Sequence, residues 1–194
     1  PLNNIGMAYD TLGEIQKSQE KYNEALSIFQ AVGDRTGEAN ALSNIGASYR
    51  SLGEMQKALE KFNEALSLTR ALGDRSGEAS ELSSIGAVHR AMGEPQKALE
   101  KHNEALPLRR MVSDRSGEAQ TLNNLGLVYW SLGEMQKALE KYNEALPIWR
   151  AVGNRNGEAI TLTNIGVVYD ALGEMQKALE NYNEALPIRR AVGD

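Results

Sequence analysis

The sequence repeats itself with a period of 40 residues, and this internal repeat constrains the fold more than any other feature. The nonapeptide LGEMQKALE is identical at residues 52–60, 132–140 and 172–180. We therefore expect a single array of about five repeats, the first of which is partial: residues 1–33, 34–73, 74–113, 114–153 and 154–194. Because the helical pattern is already running at Pro1, we also expect the chain to be a piece of a longer protein.

Each repeat contains two apolar patterns with the spacing of an α-helix. In repeat 2, Leu42, Ile45 and Tyr49 mark the buried side of a first helix. Gly53 interrupts that pattern, and Ala58 and Phe62 mark the buried side of a second helix. No segment alternates apolar and polar residues as a half-buried strand does, so the predicted fold class is all-α.

Capping residues and prolines predict where these helices end. Asp74 is suited to the N-cap of a first helix, and Gly73 to the left-handed end of the helix before it. Pro95 lies where a second helix is expected to begin. Three further prolines fall inside predicted second helices: Pro107, Pro147 and Pro187. A proline there removes one backbone hydrogen bond, so we expect a kink at each but no chain break.

A glycine recurs inside the first helix of every repeat: Gly6, Gly46, Gly86, Gly126 and Gly166. Each glycine costs about 1 kcal/mol of helix stability relative to alanine. The same cost at one register position of every repeat predicts that two helices approach closely there and leave no room for a Cβ atom. Ala58 and Ala65 are the expected small partners on the second helix.

Composition and repetition argue against most catalytic chemistry. The chain has no cysteine, which excludes thiol catalysis and cysteine-bound metals. His89 and His102 occupy positions that are aromatic in the other repeats, which predicts core substitutes rather than ligands. Carboxylate pairs such as Glu60 and Glu64 recur in every repeat and are typical of a solvated face, whereas an active site occurs once. We therefore expect no catalytic residue, no metal, no cofactor and no enzyme activity.

The charge balance limits the class of partner. A net charge of −5 without a run of lysine and arginine argues against nucleic acid and acidic membranes. No apolar stretch approaches the roughly 18–20 residues that span a bilayer, so no membrane partner is expected. The absence of cysteine and of a targeting segment predicts a cytoplasmic location.

The pattern of repeat 2 resembles the tetratricopeptide (TPR) consensus in these residues: Leu42, Ile45, Gly46, Tyr49, Leu52, Gly53, Ala58, Phe62 and Ala65. The period is longer than the usual TPR length of about 34 residues, and in this it is similar to the repeats of kinesin light chain and of the G-protein-regulator scaffolds of the mitotic spindle. The resemblance implies a right-handed α-solenoid, a superhelix of stacked antiparallel helix pairs. It also implies that the first helices line a concave groove that binds a protein or peptide, as an extended segment or as a helix.

One face of the first helix is small, polar and nearly uncharged, and the resemblance places it on the floor of the groove. An asparagine ladder runs along it: Asn4, Asn44, Asn124 and Asn164. A carboxamide both donates and accepts hydrogen bonds, so the ladder can hold the backbone of an extended peptide. Ser43 and Asn123, which precede two of these asparagines, are assigned to the same groove. The alternative is that the asparagines bond to neighbouring helices and hold the repeats in register.

A second position on the first helix changes its residue type from repeat to repeat: Asp10, Arg50, Arg90, Trp130 and Asp170. We assign Arg50, Arg90 and Trp130 to ligand contact, because arginine and tryptophan dominate binding hot spots. For the two arginines, favourable charge at a helix C-terminus is the competing interpretation.

The second helix also has a variable position near its end, occupied by these residues in chain order: Phe29, Thr69, Arg109, Trp149 and Arg189. Such tolerance of size and charge predicts an exposed or edge location for Trp149, without a role.

The repeats include no polar capping helix, so the ends of the array are expected to be apolar. Leu179, Tyr182 and Leu186 would form such an end on the last helix. The alternative function is therefore a structural spacer or self-assembling module, a homo-oligomer formed through its terminal helices.

Overall fold

The computed structural model describes residues 2–192, which form ten α-helices and no strand. Pro1, Gly193 and Asp194, which belong to the ends of the first and last predicted repeats, lie outside the described residues. The helices are α1 (Leu2–Thr11), α2 (Ile15–Val32), α3 (Arg35–Ser51), α4 (Met55–Leu72), α5 (Arg75–Ala91), α6 (Pro95–Met111), α7 (Arg115–Ser131), α8 (Met135–Ala151), α9 (Arg155–Ala171) and α10 (Met175–Val192). The predicted all-α class is confirmed.

The chain divides into two compact units, an N-terminal unit (Pro1–Glu94) and a C-terminal unit (Pro95–Asp194). In the N-terminal unit each helix from α1 to α5 packs against the next one, and α3 also meets α5 directly. In the C-terminal unit the helices from α6 to α10 pack in the same way, and α7 also meets α9. Alternate helices therefore lie side by side within each unit, as stacked helix pairs require.

The predicted helix ends are confirmed at the junctions between repeats. The Asp74 carboxylate caps α5 by accepting a hydrogen bond of 2.9 Å from the Gly77 N–H. Three other caps follow the same pattern: Asp34, Asp114 and Asn154. Gly73 ends α4 with a left-handed backbone (φ 71°), and Ser113 holds the equivalent conformation (φ 57°) as a non-glycine residue. The same turn thus forms at every junction, even where the favoured glycine is missing.

The prolines lie where the sequence predicts. Helix α6 begins at Pro95, and helices α6, α8 and α10 continue through Pro107, Pro147 and Pro187 without a chain break. The kink expected at each of these three residues stays a prediction. In α2 the position of these prolines is occupied by Ser27, whose hydroxyl donates a hydrogen bond of 3.0 Å to the Asn23 carbonyl.

The close approach predicted at the recurring glycines is confirmed, but the expected partners are wrong. A Cβ atom on Gly126 would lie 2.7 Å from Cδ1 of Tyr142, and one on Gly46 would lie 3.0 Å from the Phe62 ring. An aromatic ring of the second helix, rather than Ala58 or Ala65, therefore lies over the glycine. The physical reason is volume, because a buried ring occupies the space that a Cβ would need.

Trp149 is buried, with 4% of its surface exposed, so the prediction that it is exposed is wrong. It belongs to an apolar cluster with Leu122 and Ile148. A Cβ on Gly157 would lie 2.6 Å from Cδ2 of the indole, so the ring lies over that glycine of the next helix. Phe29, Thr69 and Arg109 also lie against a glycine of the next helix, so the space over that glycine, and not exposure to solvent, accommodates side chains of different size.

The charged face of the second helices is solvated, as predicted. In α4, Lys61 lies 2.8 Å from Glu64, and Lys57 pairs with Glu54 at the start of the helix. These are half-exposed to exposed pairs one helical turn apart, each of which contributes at most a few tenths of a kcal/mol. This face therefore serves solubility more than stability.

Candidate functional site

A cleft of about 490 Å³ opens in the N-terminal unit and is lined by three alternate helices, α1, α3 and α5. These are the first helices of repeats 1 to 3. Helix α1 contributes Asn3 and Asn4, α3 contributes Ser43 and Asn44, and α5 with its cap contributes Asp74 and Glu81. The structure thus brings three residues predicted from sequence, Asn4, Ser43 and Asn44, into one polar cleft.

Glu81 is the buried carboxyl group of this cleft, with 5% of its surface exposed. Its Oε1 accepts a hydrogen bond of 2.7 Å from the Ser43 hydroxyl, which links α5 to α3. Its Oε2 is buried and has no hydrogen-bond partner among the described residues. The pKa of Glu81 is raised to about 7. Burial raises it most, the nearby Asp74 charge also raises it, and the hydrogen bond from Ser43 lowers it. The group is therefore poised to gain or lose its charge near neutral pH.

Glu81 is not among the residues predicted from sequence to line the groove, although the sequence distinguishes it from the equivalent residues of the other repeats. The equivalent residues in the other full repeats are Ala41, Thr121 and Thr161, so only repeat 3 carries a carboxylate here. This break in the repeat is as informative as the variable position that contains Arg50. Repeat 2 has Ala41 at the position of Glu81. A prediction of an uncharged face from repeat 2 therefore does not hold for repeat 3.

In the C-terminal unit, Asn123 occupies the position equivalent to Ser43 and is buried, at 5% exposure. Its side-chain oxygen accepts hydrogen bonds from the Thr161 hydroxyl at 3.2 Å and from the Asn164 amide at 3.3 Å. These bonds join α7 to α9, as the second interpretation of the asparagine ladder requires. Asn124 accepts from Gln120 on its own helix at 3.2 Å. Peptide contact at Asn123, Asn124 and Asn164 stays a prediction.

The variable position of the first helices has several environments. Arg50 and Arg90 are exposed in the last turns of α3 and α5, whereas Trp130 is half-buried against the core of the C-terminal unit. Asp10 has an internal role, because it accepts a hydrogen bond of 2.8 Å from the Tyr22 hydroxyl. Burial and this hydrogen bond raise the pKa of Tyr22. Ligand contact at Arg50, Arg90 and Trp130 stays a prediction.

The family follows from a comparison with protein-family models. The model described as tetratricopeptide repeat matches residues 1–71, 37–111 and 117–191. The chain belongs to the tetratricopeptide repeat family. No curated protein sequence matches this TPR chain significantly.

Solved structures show the fold of this TPR chain. BtubC (BKLC) from P. vanneervenii has a TM-score of 0.87 at 24% identity, over 98% of this chain and 79% of that one. A Podospora anserina putative kinesin light chain with nearly identical TPR-like repeats has a TM-score of 0.79 at 15% identity, over 98% and 94%. A Rap protein complexed with competence and sporulation factor has a TM-score of 0.86 at 17% identity, over 97% and 53%. The fold is a TPR-like α-solenoid, and the predicted resemblance to kinesin light chain repeats is confirmed.

The two histidines of the TPR repeats lie at aromatic positions, as predicted. His102 is fully buried, whereas His89 is half-buried and its Nδ1 lies 2.6 Å from Oε2 of Glu94. At the position equivalent to His89, Tyr49 lies under the Lys57 ammonium, 5.3 Å from the ring centroid. Across residues 2–192, no group of three or more histidine, aspartate or glutamate side chains could hold a metal ion.

None of the helices within residues 2–192 combines the length and the apolar character needed to cross a membrane.

Proposed function

We propose that this TPR chain is a scaffold that binds a protein or peptide through the cleft lined by α1, α3 and α5. The observation that carries the proposal is the cleft itself, whose walls are polar side chains from the first helices of consecutive repeats. Its volume lies within the range of about 300–1,000 Å³ that is typical of ligand sites. A Rap protein with the same fold is complexed with competence and sporulation factor, which supports a binding role.

The amides of the cleft match the needs of a peptide backbone. An extended peptide presents one N–H and one C=O per residue, and each must find a partner when it leaves water. Asn4 and Asn44 lie on adjacent first helices and offer both a donor and an acceptor. Such contacts bind the main chain and are independent of the ligand's side chains.

The cytoplasmic location expected from the sequence stays a prediction.

Replacing Asn4 and Asn44, the two amides of the cleft, together with alanine is expected to weaken peptide binding about 5- to 150-fold. Each lost backbone hydrogen bond contributes about 0.5–1.5 kcal/mol, so the loss of two costs about 1–3 kcal/mol of binding free energy. Peptides selected by the unaltered chain from a random display library would serve as ligands, with affinity measured by fluorescence anisotropy. The melting temperature is expected to stay within about 2 °C of the parent, because neither amide of the pair is fully buried.

Asn63→Ala is the matched control, because the Asn63 amide donates to the Leu59 carbonyl of its own helix on the outer face of α4. That variant should bind peptide as the parent does. If the double variant instead loses cooperative folding, the asparagine ladder holds the repeats in register and the proposed contact is wrong.

Helix α10 supports a second function, self-assembly. It exposes three large apolar side chains: Met175 (53%), Leu179 (47%) and Leu186 (45%). An exposed apolar stripe on a helix is typical of an interaction face. We expect the mass measured by light scattering to rise with protein concentration, and Leu179→Gln combined with Leu186→Gln to abolish that rise. A parent chain that stays monomeric at every concentration would exclude this function and leave peptide binding.

A further inference from the structure

The cleft of the N-terminal unit holds buried acceptors that lack donors. Oε2 of Glu81 and Oδ1 of Asn3 are both buried, both residues line the cleft, and neither atom has a hydrogen-bond partner among the described residues. A buried acceptor without a partner destabilises the folded chain, and more so when it is charged. Asp74 adds a second carboxylate to the same walls. The cleft therefore lacks hydrogen-bond donors for these two oxygen atoms.

Other buried glutamates of the first helices show what Glu81 lacks. Glu78, one turn earlier on α5, bonds to Arg70 and to Arg75, each at 2.9 Å, and these hydrogen bonds lower the pKa of Glu78. The same arginine pairing occurs at each other buried glutamate that the structure describes: Glu38 with Arg35, Glu118 with Arg110 and Arg115, and Glu158 with Arg150 and Arg155. Burial without an opposite charge is costly, so Glu81 is the exception in a chain that otherwise pairs its buried carboxylates.

The described residues that line the cleft include no lysine, arginine or histidine. Among the described residues, α1 and α3 contribute only amides, a hydroxyl and a thioether, and α5 contributes Asp74 as the other charged group. Helix α4, which packs against α5, directs Arg70 to Glu78. A cation that pairs with the ionised form of Glu81 would therefore come from outside these described residues of the cleft.

We propose that the bound peptide supplies this charge, so that an arginine or lysine side chain enters the cleft and donates to Oε2 of Glu81, an inference that rests on the proposed peptide binding. Charge-assisted hydrogen bonds of this kind are about twice as strong as neutral ones. Glu81 thereby determines side-chain specificity, while Asn4 and Asn44 bind the backbone. Glu81 would thus give repeat 3 a preference for a basic side chain that the repeats with Ala41, Thr121 or Thr161 lack.

The decisive experiment uses pairs of capped peptides that differ only by arginine or its neutral isostere citrulline. Their parent sequences are those selected by the unaltered chain from a random library, and the inference expects arginine or lysine to be enriched among them. The arginine peptide should bind at least tenfold more tightly than the citrulline peptide. Glu81→Gln should remove this difference, chiefly by weakening the binding of the arginine peptide. Glu60→Gln on the outer face of α4 is the matched control and should keep the full difference.

Two further readouts do not depend on how a variant folds. Because the ionised form of Glu81 binds the cation and its pKa lies near 7, affinity for the arginine peptide should rise at least tenfold from about pH 5.5 to about pH 8. The affinity of the citrulline peptide should change far less over the same range. By NMR of the side-chain carboxyl carbon, saturation with the arginine peptide should lower the pKa of Glu81 by more than about one unit, as an affinity rise of at least tenfold requires.

The outcomes separate this inference from the function on which it rests. Selected peptides without basic residues, equal affinity for the arginine and citrulline peptides, or an unchanged pKa of Glu81 on binding would overturn the inference and leave peptide binding intact. Failure of the unaltered chain to select any peptide would overturn both.

Discussion

Replacing Trp149 with alanine is expected to lower the free energy of unfolding by about 3–4 kcal/mol. The indole is 4% exposed and packs with Leu122, Ile148 and the backbone of Gly157, so truncation leaves a cavity at the junction of α8 with α7 and α9. Large-to-small changes of this kind cost about 3–5 kcal/mol, because the lost burial adds to the cost of the cavity. Urea denaturation followed by circular dichroism measures the change.

Trp130→Ala is the matched control, since Trp130 is the other tryptophan of the chain and is only half-buried. It should cost about half as much or less, in proportion to the area buried. A loss below about 1 kcal/mol for Trp149→Ala would mean that the indole faces solvent, as the variability of its position suggested.

Gly126→Ala is expected to destabilise the protein by about 2–3 kcal/mol, although alanine is the better helix former. The new Cβ would lie 2.7 Å from Cδ1 of Tyr142, a ring that is 1% exposed and has little room to move. Overpacking a core costs about 3 kcal/mol or more in the severe cases. The gain of about 1 kcal/mol in helix propensity offsets only part of that cost.

The same substitution at Gly46 provides the comparison, because a Cβ there would lie 3.0 Å from the Phe62 ring. A shift of a few tenths of an ångström relieves that contact, so Gly46→Ala should stay within about 1 kcal/mol of the parent. Thermal unfolding of the two variants side by side tests the ranking. Equal stabilities would show that the aromatic rings adapt alike and that the glycines are not needed for close approach.

The amino-acid sequence by itself determined the features that depend on local and periodic signals. The 40-residue period, the two helices per repeat and the N-caps such as Asp74 follow from spacing along the chain. The recurring glycine at Gly46 and its equivalents also predicted a close approach of helices, since its cost in helix propensity needs a compensation. The helices, caps and glycines are specified within a few helical turns, where sequence and geometry are directly related, and the period follows from the repetition of these local signals.

Only the tertiary structure decided which distant residues meet. The hydrogen bond of Ser43 to Glu81 and that of Thr161 to Asn123 each join residues 38 positions apart, and helical periodicity does not specify such pairs. The burial of Trp149 likewise depends on the glycine of the following helix rather than on its own helix. The raised pKa of Glu81 arises from desolvation in the cleft and from the nearby Asp74 charge, whereas an isolated helix would leave that carboxyl in water.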